Sequence, residues 1–115
     1  MKENHDKILL ERIVESCGRV ARFIGNSEFS DFQKNEMMYD AVLMQIVNIG
    51  EIINRLSDEF KEKYDYLPWY QVIGMRNRVS HGYFEIEEDT VWKTVKIDLP
   101  KLKKQIEKIL RNYQK

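Results

Sequence analysis

Arg76, His81 and Tyr83 lie within one stretch of eight residues and carry side chains that can act on a phosphate ester. A guanidinium is permanently charged and can hold a phosphate through two parallel hydrogen bonds. Histidine has an unperturbed pKa of about 6.5, so it can both accept and donate a proton at cellular pH. These groups suffice in principle to cleave RNA without a metal. A base removes the proton of the ribose 2′-hydroxyl, which attacks the adjacent phosphorus, while the guanidinium stabilises the phosphorane.

The arginine–histidine pair alone also has an ordinary structural interpretation. Such a pair at this spacing arises often by chance at average residue usage. A cationic histidine near a helix C-terminus is favoured by the helix dipole without any function. The longer pattern Arg-Asn-x-x-x-His-x-Tyr, followed by Phe84 and an acidic stretch, is much less expected by chance.

Two neighbours of the pair are candidates for supporting roles. Asn77 precedes His81 by four residues, so on a helix it could orient the imidazole or bond to a ribose. Plain solvent exposure is the alternative. Tyr83 could stack on a base or receive a nucleotide. Its alternative is a packed aromatic ring with a solvated hydroxyl.

Hydrophobic residues recur along the chain at helical spacing, and no stretch alternates convincingly as a strand would. A first helix is predicted over about residues 5–23, with Gly25 as its C-terminal stop. A second, long helix is predicted from a cap at Ser30 or Asp31 to about residue 56. Its apolar stripe faces the core, whereas another face is polar and carries Gln45, Asn48 and Arg55.

The second half of the chain repeats these helix signals. Ser57 followed by acids predicts a short helix to about Lys63. Pro68 suits the first turn of the next helix, and Gly82 suits its end, so the arginine–histidine pattern occupies a helix C-terminus. Later, Pro100 either kinks the following helix or starts a new one with Asp98 as its cap.

Composition limits the fold and the location of the protein. A chain of 115 residues can build one modest core, so we predict a single domain over residues 1–115, an all-α antiparallel bundle of four or five helices. The 19 basic and 19 acidic residues balance, so any RNA contact must be a local patch or a dimer groove. A single cysteine, Cys17, fits a reducing compartment and a small core residue. No membrane segment or signal peptide is recognisable, so we expect the cytoplasm.

No metal and no cofactor are expected. Glu85, Glu87, Glu88 and Asp89 could suggest a metal cluster, but acids at the start of a helix explain them more simply. No second group has ligand spacing. The chain also has no glycine-rich phosphate loop, so we do not expect it to bind a nucleoside triphosphate itself. Asn48 and Glu51 could border a cleft, although an interhelical polar contact is the simpler interpretation.

With these motifs the chain resembles the HEPN domains, and specifically the small HepT-like proteins encoded beside minimal nucleotidyltransferases in prokaryotic toxin–antitoxin pairs. The segment 45–51, Gln-Ile-Val-Asn-Ile-Gly-Glu, is similar to that family's Ile-Gly-Glu helix. Residues 70–84 are similar to its Arg-x4-His-x-Tyr element, and residues 89–113 to its closing helices.

The resemblance implies a homodimer whose motif helices meet at the interface, with RNA bound in the cleft between them. It implies a metal-independent endoribonuclease that acts as a growth-arresting toxin, with Arg76 and His81 as catalytic residues. The cognate nucleotidyltransferase would be the antitoxin, and in one subgroup it transfers AMP to the motif tyrosine, here Tyr83. Such a modification would neutralise the arginine and occlude the cleft.

Helix geometry agrees with a site shared between two chains. Five residues of an ideal helix rotate by about 500°, so Arg76 and His81 point roughly 140° apart. One chain would not aim both at the same phosphate unless the helix unwinds near Gly82. A two-fold axis could bring Arg76 of one chain near His81 of the other.

Three functions remain open from the sequence. The first is the ribonuclease toxin. The second is a non-catalytic HEPN module that binds RNA or serves a nucleotidyltransferase, and the third is a structural dimerisation module. The intact arginine–histidine pair favours the first, because a binding module has no need of an acid/base. The concentration of polar groups at one helix end counts against the third.

Overall fold

Helices account for every regular element in the computed structural model, which describes residues 2–113 and the side chains of residues 5–113. The elements in chain order are α1 (Lys2–Ile24), α2 (Phe29–Lys34), α3 (Glu36–Arg55), α4 (Asp58–Lys63), α5 (Trp69–Gly82), a 3₁₀ turn (Tyr83–Glu85), α6 (Glu88–Lys93), a π turn (Thr94–Asp98) and α7 (Leu99–Tyr113). The all-α prediction is confirmed for these residues. The four long helices α1, α3, α5 and α7 form the bundle, and three six-residue helices connect them.

The predicted long second helix is wrong, because the chain divides it into α2 and α3. Asn35, between them, has an extended backbone, and its Oδ1 accepts a hydrogen bond from the N–H of Met38 at 3.0 Å. A side chain that satisfies a free donor in this way starts a helix. The start of α2 also differs from the prediction. Glu28 precedes the helix, and Asp31 accepts the Glu28 N–H at 2.9 Å instead of acting as the cap itself.

Four helix ends lie close to where the sequence predicts them, whereas α1 begins at Lys2 and not near residue 5. Ser57 caps α4, since its Oγ accepts the N–H of Phe60 at 3.2 Å. Pro68 immediately precedes α5, and Gly25 follows α1 with a left-handed φ of 54°. Helix α5 ends at Gly82 as predicted, but Gly82 has a φ of −156° and leads directly into the 3₁₀ turn. It is therefore not a left-handed terminating glycine.

Pro100 lies inside a continuing helical course. The π turn joins α6 to α7 immediately before it, so residues 88–113 run on without a new cap at Asp98. In a regular helix the proline ring collides with the carbonyl four residues earlier, and proline donates no hydrogen bond. A wider turn relieves that conflict. Of the two predicted outcomes, a local distortion within one helical course is the one that forms.

The long helices pack as antiparallel neighbours. Near the start of α1, Asp6 accepts hydrogen bonds from the N–H and Oγ of Ser57, which follows the end of α3, at 3.1 and 2.9 Å. Further along α1, Ser16 accepts from the side-chain amide of Asn48 at 2.8 Å. Helix α3 therefore runs opposite to α1. It also packs against α5, and α1 packs against α7 on its other side.

The apolar faces of these helices meet in one cluster of buried side chains. Cys17 belongs to it at 4% exposure, and burial raises the pKa of its thiol to about 12. The prediction that Cys17 is a core residue is confirmed. Over residues 2–113, none of the helices has both the length and the apolar content of a membrane span.

Candidate active site

Arg76 lies where α5 packs against α3. Its Nη2 forms an ion pair with Oε1 of Glu51 on α3, and its Nη1 donates to Oδ1 of Asn77 at 3.0 Å. The side chain of Arg76 is 22% exposed. Its Nε–H is buried and has no hydrogen-bond partner among the described residues. Two neighbours therefore fix the orientation of the guanidinium, and only part of it reaches solvent.

Gly50 makes this close approach of α5 to α3 possible. A Cβ atom at residue 50 would lie 2.5 Å from Cβ and 2.6 Å from Cγ of Arg76. Non-bonded carbon atoms prefer a separation of about 3.5–4.0 Å, so any other residue would push the two helices apart. The Gly-Glu pair on α3 thus has a physical role. Gly50 accommodates the stem of Arg76, and Glu51 binds its charged head.

His81 is exposed near the C-terminal end of α5 and faces a different environment. It lines a groove of about 690 Å³ together with residues of α5, the 3₁₀ turn and the start of α6, namely Asn77, Arg78, Gly82, Glu85, Ile86, Glu87 and Thr90. No described residue forms a hydrogen bond with its ring. The imidazole is therefore accessible to a ligand, in a groove whose lining holds two carboxylates and one guanidinium.

Within one chain, the two predicted catalytic residues are oriented differently. The guanidinium of Arg76 forms an ion pair with Glu51 on α3, whereas His81 lines the groove beside α6. No hydrogen bond or ion pair joins their side chains, both of which the structure describes, and Arg76 does not line the groove. This arrangement agrees with the roughly 140° between them on an ideal helix. The site shared across a two-fold axis stays a prediction, because it concerns a second copy of the chain.

Asn77 lies between Arg76 and the groove that holds His81. Its Oδ1 accepts the hydrogen bond from Arg76, and the residue also lines the groove that holds His81. Its observed partner is therefore the arginine. The predicted contact of Asn77 with the imidazole or with a ribose stays a prediction.

Tyr83 follows α5 and turns back towards α3. Its hydroxyl donates to Oδ1 of Asp40 at 2.5 Å, and its ring makes an edge contact with the ring of Phe84. Tyr83 is 41% exposed and Phe84 is 96% exposed. The hydrogen bond to the carboxylate raises the pKa of Tyr83, and the negative charge of Asp40 adds to this effect. The phenol is thus neutral and accessible, with a proton acceptor already in contact.

The sequence of this chain is similar to those of known proteins along most of its length. The family model for ribonuclease HepT-like proteins matches residues 13–109. This chain belongs to the HepT-like ribonuclease family. A "Putative RNase" of Methanocaldococcus jannaschii is 36% identical over 107 residues, covering 93% of this chain and 98% of that protein. "Probable ribonuclease HepT" of Thermococcus cleftensis is 34% identical over 109 residues, covering 95% and 98%. A "Putative RNase" of Caldanaerobacter subterraneus is 32% identical over 102 residues, covering 89% and 91%. No solved structure gives a significant match.

Sequence reasoning missed one polar residue of this HepT-like site, Asp40. It precedes Tyr83 by 43 residues, and a single aspartate on an exposed helix face gives no signal of its own. Its spacing from Glu51 is the one clue. Residues eleven apart on a helix lie about 20° apart in rotation, so Asp40 and Glu51 share the face of α3 that meets the motif.

The remaining polar candidates of this HepT-like chain have structural contacts. The interpretation of Asn48 and Glu51 as interhelical polar residues is confirmed, since Asn48 bonds to Ser16 and Glu51 to Arg76. Glu88 and Asp89 lie in the first turn of α6, as acids at a helix start should. Among the described side chains, no group of three or more His, Cys, Asp or Glu residues is arranged to hold a metal ion.

Proposed function

We propose that this HepT-like protein is an endoribonuclease that cleaves RNA without a metal and acts as the toxin of a prokaryotic toxin–antitoxin pair. One observation carries the proposal: the accessible imidazole of His81 shares α5 with a guanidinium that Glu51 and Asn77 hold in place. The relatives named as ribonucleases support the same class of reaction.

The proposed reaction uses His81 for proton transfer and Arg76 for charge. The imidazole takes the proton of the ribose 2′-hydroxyl, whose oxygen then bonds to the adjacent phosphorus. The bond from phosphorus to the 5′-oxygen breaks, and that oxygen receives a proton from His81, which became an imidazolium when it took the proton of the 2′-hydroxyl. Arg76 spends one N–H on Glu51 and one on Asn77. A guanidinium has five N–H groups, so others are left for the non-bridging phosphate oxygens.

A homodimer is part of the proposal, because one chain directs Arg76 and His81 to different sides of α5. Exposed apolar side chains near the motif support a partner there. Met37 and Met44 are 85% and 64% exposed, and they lie on the same face of α3 as Asp40. Phe84, beside Tyr83, is almost fully exposed. Apolar groups gathered on a surface in this way are typical of protein interfaces.

Tyr83 is proposed as the acceptor of AMP from a cognate nucleotidyltransferase antitoxin. A nucleophile with a base within hydrogen-bond reach is the usual arrangement for group transfer, and the hydroxyl of Tyr83 already donates to Asp40. The phenolic oxygen would bond to the α-phosphorus of ATP and pyrophosphate would leave, while Asp40 takes the phenolic proton. The added phosphodiester and purine would then lie at the end of α5, where they switch cleavage off.

The acidic lining of the His81 groove favours a second candidate function. Glu85 and Glu87 face the groove with a single arginine, Arg78, and carboxylates repel RNA phosphates. A non-catalytic HEPN module that binds RNA elsewhere, or that serves as the partner of a nucleotidyltransferase, would tolerate such a lining. This candidate predicts that no RNA is cleaved under any condition.

Product analysis separates the two candidates. The purified protein is incubated with RNA in the presence of EDTA, and the ends of the fragments are identified by mass spectrometry. We expect ends with a 2′,3′-cyclic phosphate, and none with His81→Ala. Arg76→Lys should also impair cleavage because an ammonium lacks the bidentate fork, whereas Arg111→Lys on the exposed end of α7 should not. A strict magnesium requirement, or a His81→Ala variant as fast as the wild type, would contradict the proposed reaction.

The toxin and antitoxin roles need a cellular test. Expression of the wild-type chain in a prokaryotic host should arrest growth, and expression of His81→Ala should not. A neighbouring gene for a small nucleotidyltransferase, if co-expressed, should restore growth. The intact mass of the co-expressed protein should then rise by whole adenylyl groups, and Tyr83→Phe should prevent the rise. Growth rescue without any mass change would count against modification as the switch.

A further inference from the structure

Three arginines border a second groove, between α1 and α3. Arg12, Arg19 and Arg55 line this groove of about 330 Å³, together with Gln45 and Asn48. Arg12 and Arg19 are seven residues apart, so they lie on nearly the same face of α1 and about 10 Å apart along its axis. Arg55 lies at the end of α3. The polar face that the sequence indicates on α3 therefore forms one wall of a basic groove.

The floor of this groove is polar and fixed. The side-chain amide of Asn48 donates to Oγ of Ser16 across the two helices at 2.8 Å, and Ser16 is only 5% exposed. This contact leaves the side-chain oxygen of Asn48 without a hydrogen bond from any described residue. The side-chain amide of Gln45, one turn earlier on α3, also forms no hydrogen bond with any described residue. Both groups can bond to a sugar or a base.

The charge of the groove is strongly one-sided for a protein of zero net charge. Its three arginines face one carboxylate, Glu15, which lies 3.7 Å from Arg19 in an exposed pair. Such exposed pairs contribute little and are screened by salt. The His81 groove has the opposite balance, with two carboxylates and one arginine. Phosphates are thus better accommodated between α1 and α3 than beside His81.

The basic groove adjoins the candidate active site. Arg55 follows Glu51 by four residues on α3, which is about one turn or 6 Å along the axis. Glu51 holds Arg76. A strand of RNA with one phosphate at Arg76 would therefore meet Arg55 next, and then the two arginines of α1.

We propose that the α1–α3 groove binds the backbone of the RNA substrate beside the scissile linkage. Arg12, Arg19 and Arg55 contact phosphates, and Gln45 and Asn48 contact sugars or bases. The inference rests on the proposed function, since it assigns the substrate track of the same site. It gives a physical reason why a chain without excess positive charge can hold RNA: the phosphates meet a local cluster of three arginines, and contacts to phosphates supply much of the affinity for a nucleic acid.

Binding of an uncleaved RNA tests the groove. In a His81→Ala background, the affinity for a labelled single-stranded RNA is measured by fluorescence anisotropy over a series of salt concentrations. Arg12→Gln, Arg19→Gln and Arg55→Gln together should weaken binding more than tenfold at low salt. The slope of log affinity against log salt should fall by about 2, since each lost phosphate contact on a single strand contributes about 0.7.

A charge-matched variant supplies the control. Lys101→Gln, Lys104→Gln and Lys108→Gln together remove the same charge from α7, and we expect less than a twofold change in affinity. Circular dichroism melting checks that both triple variants fold. Equal losses in the two triple variants would overturn the inference, because they would show a response to overall charge alone. Unchanged RNA affinity in the arginine variant would overturn it too, and would leave the groove as a surface for an acidic protein.

The same measurements keep the groove distinct from the catalytic proposal. If the chain binds RNA through these arginines but the wild type cleaves nothing, the ribonuclease proposal fails and the groove stands. If the wild type cleaves RNA and the arginine variant matches it in both affinity and rate, the groove fails and the ribonuclease proposal stands.

Discussion

The two halves of the Arg-x4-His motif lie on one helix and are built in opposite ways. Arg76 has its stem against Gly50 and its head on Glu51 and Asn77. His81, in the last turn of the same helix, is exposed in an open groove and receives no hydrogen bond from the described residues. A guanidinium must be held in one orientation to grip a phosphate with two bonds. An acid/base must be reachable and must change its charge during the reaction.

Within one motif, Arg76 therefore has contacts that stabilise the fold, whereas His81 has none of this kind among the described residues. The fold holds the guanidinium of Arg76, the proposed phosphate ligand, in one orientation and leaves the imidazole of His81, the proposed acid/base, exposed. A substitution at residue 81 should therefore affect the reaction alone, whereas substitutions around residue 76 should affect both the reaction and the packing of α3 against α5. The proposed dimer allows two arrangements, in which a given Arg76 acts with the His81 of its own chain or with the His81 of the other chain.

The largest expected effect is on the rate of RNA cleavage by mixed dimers of two inactive variants. Arg76→Ala and His81→Ala proteins are inactive alone if both residues are needed. In a site built from two chains, each mixed dimer regains one intact site and loses the other. Random pairing of equal amounts should then restore about a quarter of the wild-type rate, because about half of the dimers are mixed. Cleavage of a labelled RNA after co-refolding measures this.

The control for this experiment is a mixture that cannot be rescued. His81→Ala combined with a double variant that carries both substitutions contains no intact histidine, so it should stay inactive. A mixture of the two single variants that forms mixed dimers, as mass spectrometry can verify, and yet stays inactive would place Arg76 and His81 in the same chain's site.

Two glycines test how tightly the Arg76 side is packed. Gly50→Ala should lower the free energy of unfolding by about 1–2 kcal/mol, since overpacking costs about 1–3 kcal/mol and better helix propensity returns up to about 1. Gly74→Ala is the matched control on α5, where a Cβ would meet nothing within 4 Å. It should raise the free energy by about 0.5–1 kcal/mol. Urea denaturation followed by circular dichroism measures both. A Gly50→Ala protein as stable as Gly74→Ala would mean that α3 and α5 can separate without cost.

Arg76→Ala and His81→Ala should change the free energy of unfolding by smaller and unequal amounts. Arg76→Ala should cost about 1 kcal/mol, because it removes the packed stem and the partner of Glu51. His81→Ala should stay within about 0.5 kcal/mol of the wild type, as exposed residues usually do. The same denaturation measurement compares the two. Equal losses would show that His81 makes contacts that its exposure does not suggest.

Local sequence signals predicted most of the fold for physical reasons that the structure makes clear. Ser57 and Pro68 act within one turn of the helices they start, so the sequence around them contains the whole interaction. The apolar spacing continues across Asn35, so it does not indicate the division between α2 and α3, which depends on a single capping hydrogen bond. The sequence around Pro100 allows either a kink or a new helix, since a proline disrupts the turn before it in both cases.

The candidate site was predicted less completely, because its contacts link distant parts of the chain. The motif itself is local, and Arg76, Asn77, His81 and Tyr83 could be read from its spacing. The sequence indicates Glu51 as a polar interhelical residue but does not indicate that its partner is Arg76. The contacts of Gly50 with Arg76 and of Asp40 with Tyr83 join residues 26 and 43 positions apart. No helical period relates such positions, so only the packing of α3 on α5 reveals them.

Tyr83 is intermediate between the two halves of the motif, since it is exposed like His81 but bonded to α3 like Arg76. Asp40→Asn should lower the pKa of Tyr83 towards its ordinary value, because the carboxylate that holds the phenolic proton and repels a phenolate is gone. Absorbance of the phenolate during an alkaline titration measures this, with Tyr83→Phe in each background to subtract the other five tyrosines.

The same variant tests Asp40 as a base. If the carboxylate accepts the proton during attack, Asp40→Asn should slow the reaction of Tyr83 with an adenosine-based sulfonyl fluoride at neutral pH, even though its phenol is more acidic. Tryptic mass spectrometry of the labelled peptide gives the rate, and Tyr70, exposed on the same helix as the motif, serves as an internal reference. A faster reaction that follows the phenolate fraction would assign Asp40 to the acidity of Tyr83 alone. A slower reaction at Tyr83 with an unchanged one at Tyr70 would identify Asp40, on α3, as the base that activates this tyrosine.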